Sequence, residues 1–494
     1  MEIMFLILTS IISFLFLFHG FDLYRKRRLP PGPMGLPFIG NLLEIGPKPH
    51  ESLAKLSQKH GPLITIKLGS ITTVVASTPD AAREILLSND VACSGRPVPN
   101  AVTALKHHDK AVLWIPPNET WQTIRKVLKM YLTSQHKLDT LQHVREDVLE
   151  DVLISLRESG SKKAAVDIGS MAFAVSLNQF SKTFCSRNMT SYEDDDIRGF
   201  QAVVETAMEV QGKFNIADIF PVLRPLDPQN VWRRAKAAFV WLEEKIEDFV
   251  NERIKHRDSE LPRFDDVLDS LLDYSQHNEA DFSVKHIKTL LVDVLVAGTD
   301  TIASATTWTM SELLLNPHIF SRVREEINQI VKEVGKIEEA KTLHLPYLQA
   351  VIKETMRLHA GSPLLAPHIT QTQVKIGTYV IPKGTQMLVN VWAMSRDPRY
   401  WENPMLFMPE RFLKTKVDFK GQHYEFLPFG SGRRKCPGMP LAERMLSLIV
   451  ASFVYHFDWE LPYAREEMDM NDKYGLTLLK ATPLVATPKP YPSS

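Results

Sequence analysis

A long apolar segment in the second half of the chain most limits how these 494 residues can fold. Ser283 suits a helix N-cap and Asn316-Pro317 a helix end, so the segment between them predicts one helix. At 1.5 Å per residue this helix would be about 50 Å long, enough to cross a whole catalytic body. Length alone suggests about three domains, but no linker or composition shift divides the chain. We therefore expect one large body built around this helix.

The rest of the body is expected to be mainly α-helical with small β-sheets. Helical periodicity extends over most of residues 121–359. The runs Leu63–Leu68 and Ile71–Ala76 flank Gly69-Ser70, a pattern that predicts a β-hairpin.

The middle of the long helix carries the sequence Ala297-Gly-Thr-Asp-Thr301. Glycine is unfavourable inside a helix. Gly298 therefore suggests either that another group approaches the helix closely at this point or that the hydrogen bonds of the helix open locally. Asp300 and Thr301 beside such an opening could bind water and relay protons. The alternative is a kinked core helix in which Thr301 bonds a backbone carbonyl.

A single cysteine stands between glycines in the ten residues from Phe429 to Gly438. Glycines at positive φ angles allow a tight loop that can approach a flat, bulky group closely, and this loop has three: Gly430, Gly432 and Gly438. Pro440 suits the first turn of a helix that follows the loop. The helix N-terminus and the adjacent basic residues are expected to lower the pKa of Cys436 and favour a metal-binding thiolate. The alternative is a Gly-rich turn that ends in an inert, buried cysteine.

The motif resembles the haem-binding signature of the cytochromes P450 at five positions: Phe429, Gly432, Arg434, Cys436 and Gly438. The resemblance covers nearly the whole chain and implies the cytochrome P450 fold. It implies haem b as the cofactor and Cys436 as the axial ligand of the haem iron, with Phe429 and Gly438 at the cofactor. It also implies that Thr301 delivers protons during oxygen activation, with Asp300 in the relay.

Further residues are expected to hold the haem propionates. Trp121 and Arg125 lie four residues apart and so share a helix face, and a guanidinium suits carboxylates. From the two residues alone a surface cation–π pair is the simpler interpretation. The resemblance implies that this pair and Arg434 contact a propionate. Relatives commonly carry arginine where this chain has His368, whose imidazole is shorter and titrates near neutral pH, so propionate binding there is an open question.

Glu354 and Arg357 have the i,i+3 spacing of a helix salt bridge, usually a weak surface pair. Here Arg411 follows in Pro409-Glu-Arg-Phe412. The resemblance implies a structural Glu354–Arg357–Arg411 network that supports the cysteine loop.

The N-terminus predicts a transmembrane anchor over residues 1–23, about 30 Å long as a helix. The basic block Arg25–Arg28 would stay cytosolic and leave the catalytic body in the cytosol. A cleaved signal peptide lacks its basic n-region here, and a buried core helix is the other alternative. Residues 24–40 form a basic stop and proline-rich hinge, resembling microsomal P450s, and residues 41–494 the catalytic domain. The resemblance implies a single-pass protein of the endoplasmic reticulum membrane.

Composition excludes some classes of partner. The net charge of +0 and pI of about 7.3 do not suggest nucleic acid. Three cysteines provide no disulfide framework, as expected in a reducing compartment. The adjacent residues His107-His108-Asp109 are read as a polar loop, because neighbours rarely converge on one metal.

Several phrases resemble the plant branch of geraniol hydroxylases and abietane-diterpene oxidases such as ferruginol synthase, including Ser94-Gly-Arg-Pro97, Ile381-Pro-Lys-Gly-Thr-Gln386 and Val391-Trp-Ala-Met394. The implied reaction is hydroxylation of a small hydrophobic terpenoid with O₂ and electrons from NADPH, through a cytochrome P450 reductase, by a monomeric enzyme. An abietane-type diterpene is favoured, and a monoterpenoid, alkaloid or phenolic substrate remains open. An O₂-independent isomerase or dehydratase and a non-catalytic haem binder are the other classes.

Overall fold

The structure is a computed structural model that describes residues 29–192, 194–259 and 261–491. The predicted transmembrane segment, residues 1–23, and the basic block that follows lie outside the described residues. Helices predominate, and their bounds are Pro49–His60, Pro79–Arg83, Asp90–Cys93, Glu119–Leu128, Gln135–Thr140, Gln142–Ser161, Ile168–Cys185, Asp194–Gly212, Ile216–Ile219, Val231–Arg257, Val267–His277, Val284–Leu315, Pro317–Val334, Glu339–Thr342, Pro346–Leu358, Val391–Met394, Glu410–Leu413 and Met439–His456. The expectation of a mainly α-helical body is confirmed.

Within the described parts of the chain the strands form four small sheets. One has four strands in the order Leu63–Leu68, Ile71–Ala76, Gln386–Val389 and His368–Ile369. Another has three, in the order Val166–Asp167, Val485–Pro490 and Phe457–Glu460. Two-stranded sheets pair Val374–Ile376 with Tyr379–Ile381 and Asp472–Lys473 with Leu479–Lys480.

The predicted hairpin is confirmed. Its strands pair antiparallel from Leu63 opposite Ala76 to Leu68 opposite Ile71, and Gly69 turns at φ +55°. The proline-rich segment differs from a free spacer, because Pro31 O accepts a hydrogen bond from Thr65 N at 2.9 Å. An added Cβ at Gly32 would meet Thr65 O at 1.9 Å. This part of the hinge therefore packs along the hairpin edge, where it satisfies strand amides.

The helix Val284–Leu315, here called the central helix, has the predicted bounds. Ser283 caps it together with His286, and it ends before Asn316-Pro317. Among the described residues it alone is long and apolar enough to cross a membrane, but 61% of its most apolar window is buried in the body. It packs most extensively against Ile168–Cys185 and also contacts Met439–His456. It is the core helix around which the fold is built.

Gly298 is explained by close approach, not by an opening of the helix. The central helix continues without interruption through this position. An added Cβ at Gly298 would lie 2.3 Å from the ring of Phe180. The glycine therefore lets the neighbouring helix pack against this turn.

Candidate functional site

The cysteine loop, residues 429–438, precedes the helix Met439–His456, whose first turn holds Pro440 as predicted. Gly430 and Gly432 both have φ +66°, and a Cβ at Gly432 would meet Leu86 O at 1.9 Å. Gly438 differs from the expectation, since it has an ordinary φ of −81°. A Cβ there would lie 3.8 Å from the sulfur of Cys436, an ordinary van der Waals distance, so the protein alone does not require glycine at this position.

The backbone of Cys436 is held within the loop, since its amide donates to Phe429 O at 3.0 Å. Its side chain has accessible surface although protein surrounds the sulfur on most sides. The pKa of the thiol is raised, because burial of the sulfur among surrounding protein outweighs the Gly438 amide, the Arg125 charge, the Met439 amide and the Lys435 charge, which all lower it. The expectation of a lowered pKa is therefore wrong for the free thiol: the predicted cations and helix amides are present, but desolvation exceeds them.

A hollow opens beside the central helix. Ala297 and Thr301 are exposed although most neighbouring residues of that helix are buried. They lie one turn apart and so face the same side. Cys436 is exposed as well, and a flat prosthetic group bound against the helix and the cysteine loop would cover all three residues.

Thr301 and Asp300 differ in their surroundings. The Thr301 hydroxyl donates to Ala297 O at 2.7 Å. Asp300 is buried and its Oδ2 has no hydrogen-bond partner. Burial raises the pKa of Asp300 to about 7, although a hydrogen bond from Thr477 lowers it. A carboxyl that exchanges its proton near neutral pH therefore lies next to the hydroxyl that borders the hollow.

Three guanidiniums converge behind the cysteine loop. Arg125 donates to Lys435 O at 2.8 Å, and its guanidinium lies 5.3 Å from the ring of Trp121. Arg434 lies 4.9 Å from the same ring and donates to three carbonyls, at Ser94, Val112 and Ile115. Arg96 donates to the carbonyls of Ala366 and Pro367. The predicted Trp121–Arg125 pair is thus joined to Arg434, and Arg96 is added.

The cluster lacks a matching negative charge. Among the described residues none of these guanidiniums pairs with a carboxylate, and the buried Nε of Arg96 has no partner. Burial and the charge of Arg434 lower the pKa of Arg96 to about 9, and burial with the charge of Arg125 lowers the pKa of Arg434 to about 10. Buried cations normally have an anionic partner. The arrangement therefore fits a group that carries carboxylates, as haem does.

His368 lies beside this cluster. It is buried, and its Nδ1 is 2.8 Å from Cys93 O, which requires Nδ1 to carry the proton. Its pKa is well below the usual value because of burial and the charges of Arg96 and Arg434. The neutral ring presents Nε2 as an acceptor, so it would have to gain a proton before donating to a carboxylate.

Arg96 was not identified as a site residue from the sequence. Ser94–Pro97 entered there only as one of the phrases that resemble a plant branch of the family. A lone arginine next to proline carries no spacing signal. Only its distance to the carbonyls of Ala366 and Pro367, far along the chain, places it in the cluster.

Glu354, Arg357 and Arg411 form one buried network. Glu354 accepts from Arg357 at 2.7 and 2.8 Å and from Arg411 at 3.0 Å. The two arginines also bind backbone carbonyls of the segment that leads to the cysteine loop, at Ser395, Glu402, Asn403, Pro404 and Leu406. These contacts fit the predicted structural role, because they tie the segment to the helix Pro346–Leu358.

A cleft of about 320 Å³ is formed by several segments that are distant in sequence. Its lining comes from the hairpin, residues 97–99, residues 211–219, residues 362–365 and residues 474–476. The family resemblance predicts a substrate pocket lined by residues 101–116, 201–220, 294–297, 363–366 and 475–478. Parts of the second, fourth and fifth ranges line this cleft, whereas residues 101–116 and 294–297 do not. The residues are largely apolar, which suits a greasy molecule.

One other group has metal-ligand geometry among the described residues, His50 with Glu51 and Asp472. The ammonium of Lys48 already lies 2.9 Å from Asp472 and 3.5 Å from Glu51. The ammonium therefore occupies the side of both carboxylates that a cation would use and offsets one of their two charges.

Comparison with known proteins agrees with this geometry. Residues 30–486 match the family described as Cytochrome P450. Geraniol 8-hydroxylase of Swertia mussotii is 40% identical over 490 residues, which cover 97% of this chain and 99% of the relative. Ferruginol synthase of Isodon rubescens is 40% identical over 467 residues, 94% of this chain and 95% of the relative. Sugiol synthase of Salvia miltiorrhiza is 40% identical over 468 residues, with coverage of 94% and 95%.

Proposed function

Because this chain belongs to the cytochrome P450 family and is a monooxygenase of that family, we propose that it hydroxylates a hydrophobic terpenoid, with an abietane-type diterpene as the favoured substrate. The single observation that carries the chemistry is that Thr301, on a largely buried helix, and Cys436, in the glycine-rich loop, are both exposed and so left free for a cofactor to cover. The carboxylate-free arginine cluster behind them supports the same assignment.

The residues divide into those that hold the cofactor and those that serve the reaction. Cys436 would ligate the iron, and Arg96, Arg125 and Arg434 would bind the propionates. Bound in this way, thiolate-ligated haem supplies the activation of O₂, placing one oxygen atom in a C–H bond and releasing the other as water with two electrons from NADPH.

Thr301 is suited to hold a water molecule in the hollow. Its hydroxyl proton is engaged by Ala297 O, which leaves the Oγ1 lone pairs free to accept a hydrogen bond. Asp300 is suited to supply protons, because a pKa of about 7 lets its carboxyl release and regain a proton near neutral pH. Together they would deliver protons to the oxygen-binding side of the hollow.

The terpenoid class is supported by the relatives. Geraniol 8-hydroxylase and ferruginol synthase are both 40% identical to this chain over nearly its full length. These names point to a monoterpene alcohol and to an abietane, respectively. Equal identity leaves the choice to experiment, and the preference for an abietane rests on the resemblance noted in the sequence.

The electron donor would be an NADPH-dependent cytochrome P450 reductase that docks behind the cysteine loop. Lys126 and Lys129 are exposed and offer positive charge to an acidic partner. Arg433 is exposed too, but Asp90 at 3.2 Å already offsets its charge. Lys435 is less available, since its ammonium donates to Lys420 O at 2.7 Å. We also propose attachment to the endoplasmic reticulum membrane through residues 1–23, with a cytosolic, monomeric catalytic domain.

The test is turnover in microsomes that contain this protein and a P450 reductase. Geraniol and an abietane hydrocarbon are supplied separately with NADPH and ¹⁸O₂, and products are identified by mass spectrometry. We expect a hydroxylated product with one ¹⁸O atom and a higher kcat/KM for the abietane. Cys436→Ala is the inactive comparison, and Cys185→Ala is the matched control, because Cys185 is buried elsewhere in the core.

The alternatives give other results. A higher kcat/KM for geraniol would replace the abietane by a monoterpenoid. A product formed without NADPH and without ¹⁸O would indicate isomerase or dehydratase chemistry. Haem binding without any product across a wider panel of terpenoids, alkaloids and phenolics would indicate a haem binder.

A further inference from the structure

The loop of residues 100–112, here called the roof loop, is bound to the central helix by one carboxylate. Asp293 Oδ1 lies 2.8 Å from His107 Nε2, and Oδ2 accepts from Val112 N at 2.9 Å. His107 is buried, and its ring stacks on Phe239 at 4.5 Å. A single side chain therefore binds two points of the loop through charge-assisted hydrogen bonds.

The attachment lies on the face of the helix that borders the hollow. Asp293, Ala297 and Thr301 are spaced four residues apart, so they follow one another along the same side. Each step is about 6 Å along the axis, which puts Asp293 about 12 Å from Thr301. A loop bound at Asp293 therefore lies beside the stretch of the helix that leads to Thr301.

The roof loop is strained directly beside this attachment. Leu105 and Lys106 both have left-handed backbone angles, with φ of +54° and +57°, and both are exposed. Two consecutive non-glycine residues in this region are unfavourable and persist only where the surroundings hold them. His107, the next residue, ties one side of this pair to the central helix, and the contact of His108 Nδ1 with Val102 O at 3.1 Å closes the loop across it.

The end of the loop has separate supports. Val112 O accepts from Trp121 Nε1 at 3.2 Å and from Arg434 Nη1 at 3.3 Å. Loss of the Asp293 contact should thus free the strained part of the loop while the arginine cluster keeps its own contacts.

We propose that His107 and Asp293 form a latch that holds the roof loop closed over the hollow and positions the substrate relative to Thr301. The inference rests on the proposed use of the hollow as a substrate site. Opening of the latch would let Leu105 and Lys106 relax and would widen the space above Thr301. His107 and Asp293 are positioning residues, since they act through the loop.

Limited trypsin digestion tests the latch without any turnover, because Lys106 lies at the strained point. Full-length enzyme with bound haem is digested, and cleavage after Lys106 is measured relative to the urea-unfolded chain. We expect cleavage at least about tenfold faster in Asp293→Ala and His107→Phe, a factor that corresponds to about 1.4 kcal/mol of easier opening. His107→Gln retains a donor toward Asp293 and should stay near the wild-type rate.

Asp109→Ala is the matched control, since this exposed acid of the same loop contacts His108 at 3.1 Å and not the central helix. Selective acceleration at Lys106 with an unchanged control supports the latch. Unchanged cleavage at Lys106, or equal acceleration at every tryptic site, overturns it.

A second measurement tests the positioning role. With geraniol as the probe, Asp293→Ala should alter the ratio of hydroxylated products or the KM. The red-shifted Soret band of the reduced CO complex, which reports the amount of thiolate-ligated haem, should stay near the wild-type intensity. If the ratio and KM match the wild type, the role in positioning is refuted. Because the digestion requires no product, failure of the terpenoid assay would count against the proposed function and not against the latch.

Discussion

Substitution of Arg96 by methionine tests whether the arginine cluster exists to hold an anionic cofactor. Methionine keeps much of the side-chain volume and removes the charge and the donors to Ala366 O and Pro367 O. If Arg96 binds a propionate as proposed, the change would delete a charge-assisted bond in the holoprotein, worth about 1.5–3 kcal/mol. At about 1.4 kcal/mol per factor of ten, haem should be lost roughly 10- to 150-fold more readily.

The apoprotein should respond differently. There Arg96 is a buried cation beside Arg434, and its pKa is lowered to about 9 because the folded apoprotein disfavours the charge. Removing the cation relieves this cost, while two carbonyls lose a donor at about 1 kcal/mol each. The two effects oppose each other, so we expect little change in the free energy of unfolding of the apoprotein.

Transfer of haem to excess apomyoglobin measures the first quantity, and urea unfolding of the apoprotein measures the second. Arg433→Met is the matched control, because this neighbouring arginine is exposed and pairs with Asp90 at 3.2 Å. Haem dimethyl ester, which lacks propionate charge, should bind more weakly to the wild type and reduce the difference between wild type and Arg96→Met. If Arg96→Met loses haem at the wild-type rate and its apoprotein is less stable, the reasoning is refuted and Arg96 is a structural residue.

Three further predictions concern the residues around the hollow. Cys436→Ala should abolish the red-shifted Soret band of the reduced CO complex while Cys185→Ala retains it; a normal band in Cys436→Ala would remove the ligand assignment. Thr301→Ala should keep the haem but raise NADPH consumption per product, as measured by paired NADPH and product assays; unchanged coupling would argue against the proton relay. In the wild type Asp300 stays protonated up to about pH 7 when folded, against an ordinary value of 3.8 when unfolded, so stability falls as pH rises from about 4 to 7. Asp300→Asn should avoid this loss. Its free energy of unfolding in urea should exceed that of the wild type by an amount that grows across this pH range, up to about 4 kcal/mol. A difference between variant and wild type that stays constant with pH would show that the carboxyl does not titrate there.

Local signals predicted much of the framework. The bounds of the central helix follow from Ser283 and Asn316-Pro317, and the hairpin follows from two β-rich runs around Gly69. Such signals work because caps, turns and periodicity act between residues close in sequence.

Other features depend on contacts between residues that are far apart in the sequence, so local patterns could not predict them. Gly298 suggested either a close approach or an open helix, and only the packed structure shows that it makes room for Phe180. The thiol of Cys436 was expected to have a lowered pKa from nearby cations and amides, but burial raises it. Desolvation depends on all atoms packed around a group, and no local pattern reports it.

The sequence by itself determined the mainly helical fold class, the cysteine loop and the family, because these depend on residue types at fixed spacings. The tertiary structure alone brought Arg96 beside Arg434, placed His368 with its Nδ1 on Cys93 O, and bound the roof loop to Asp293. The residues in each of these contacts are more than a hundred positions apart. Their charges and hydrogen bonds arise only after the chain has packed, so the electrostatics of the hollow is a property of the fold.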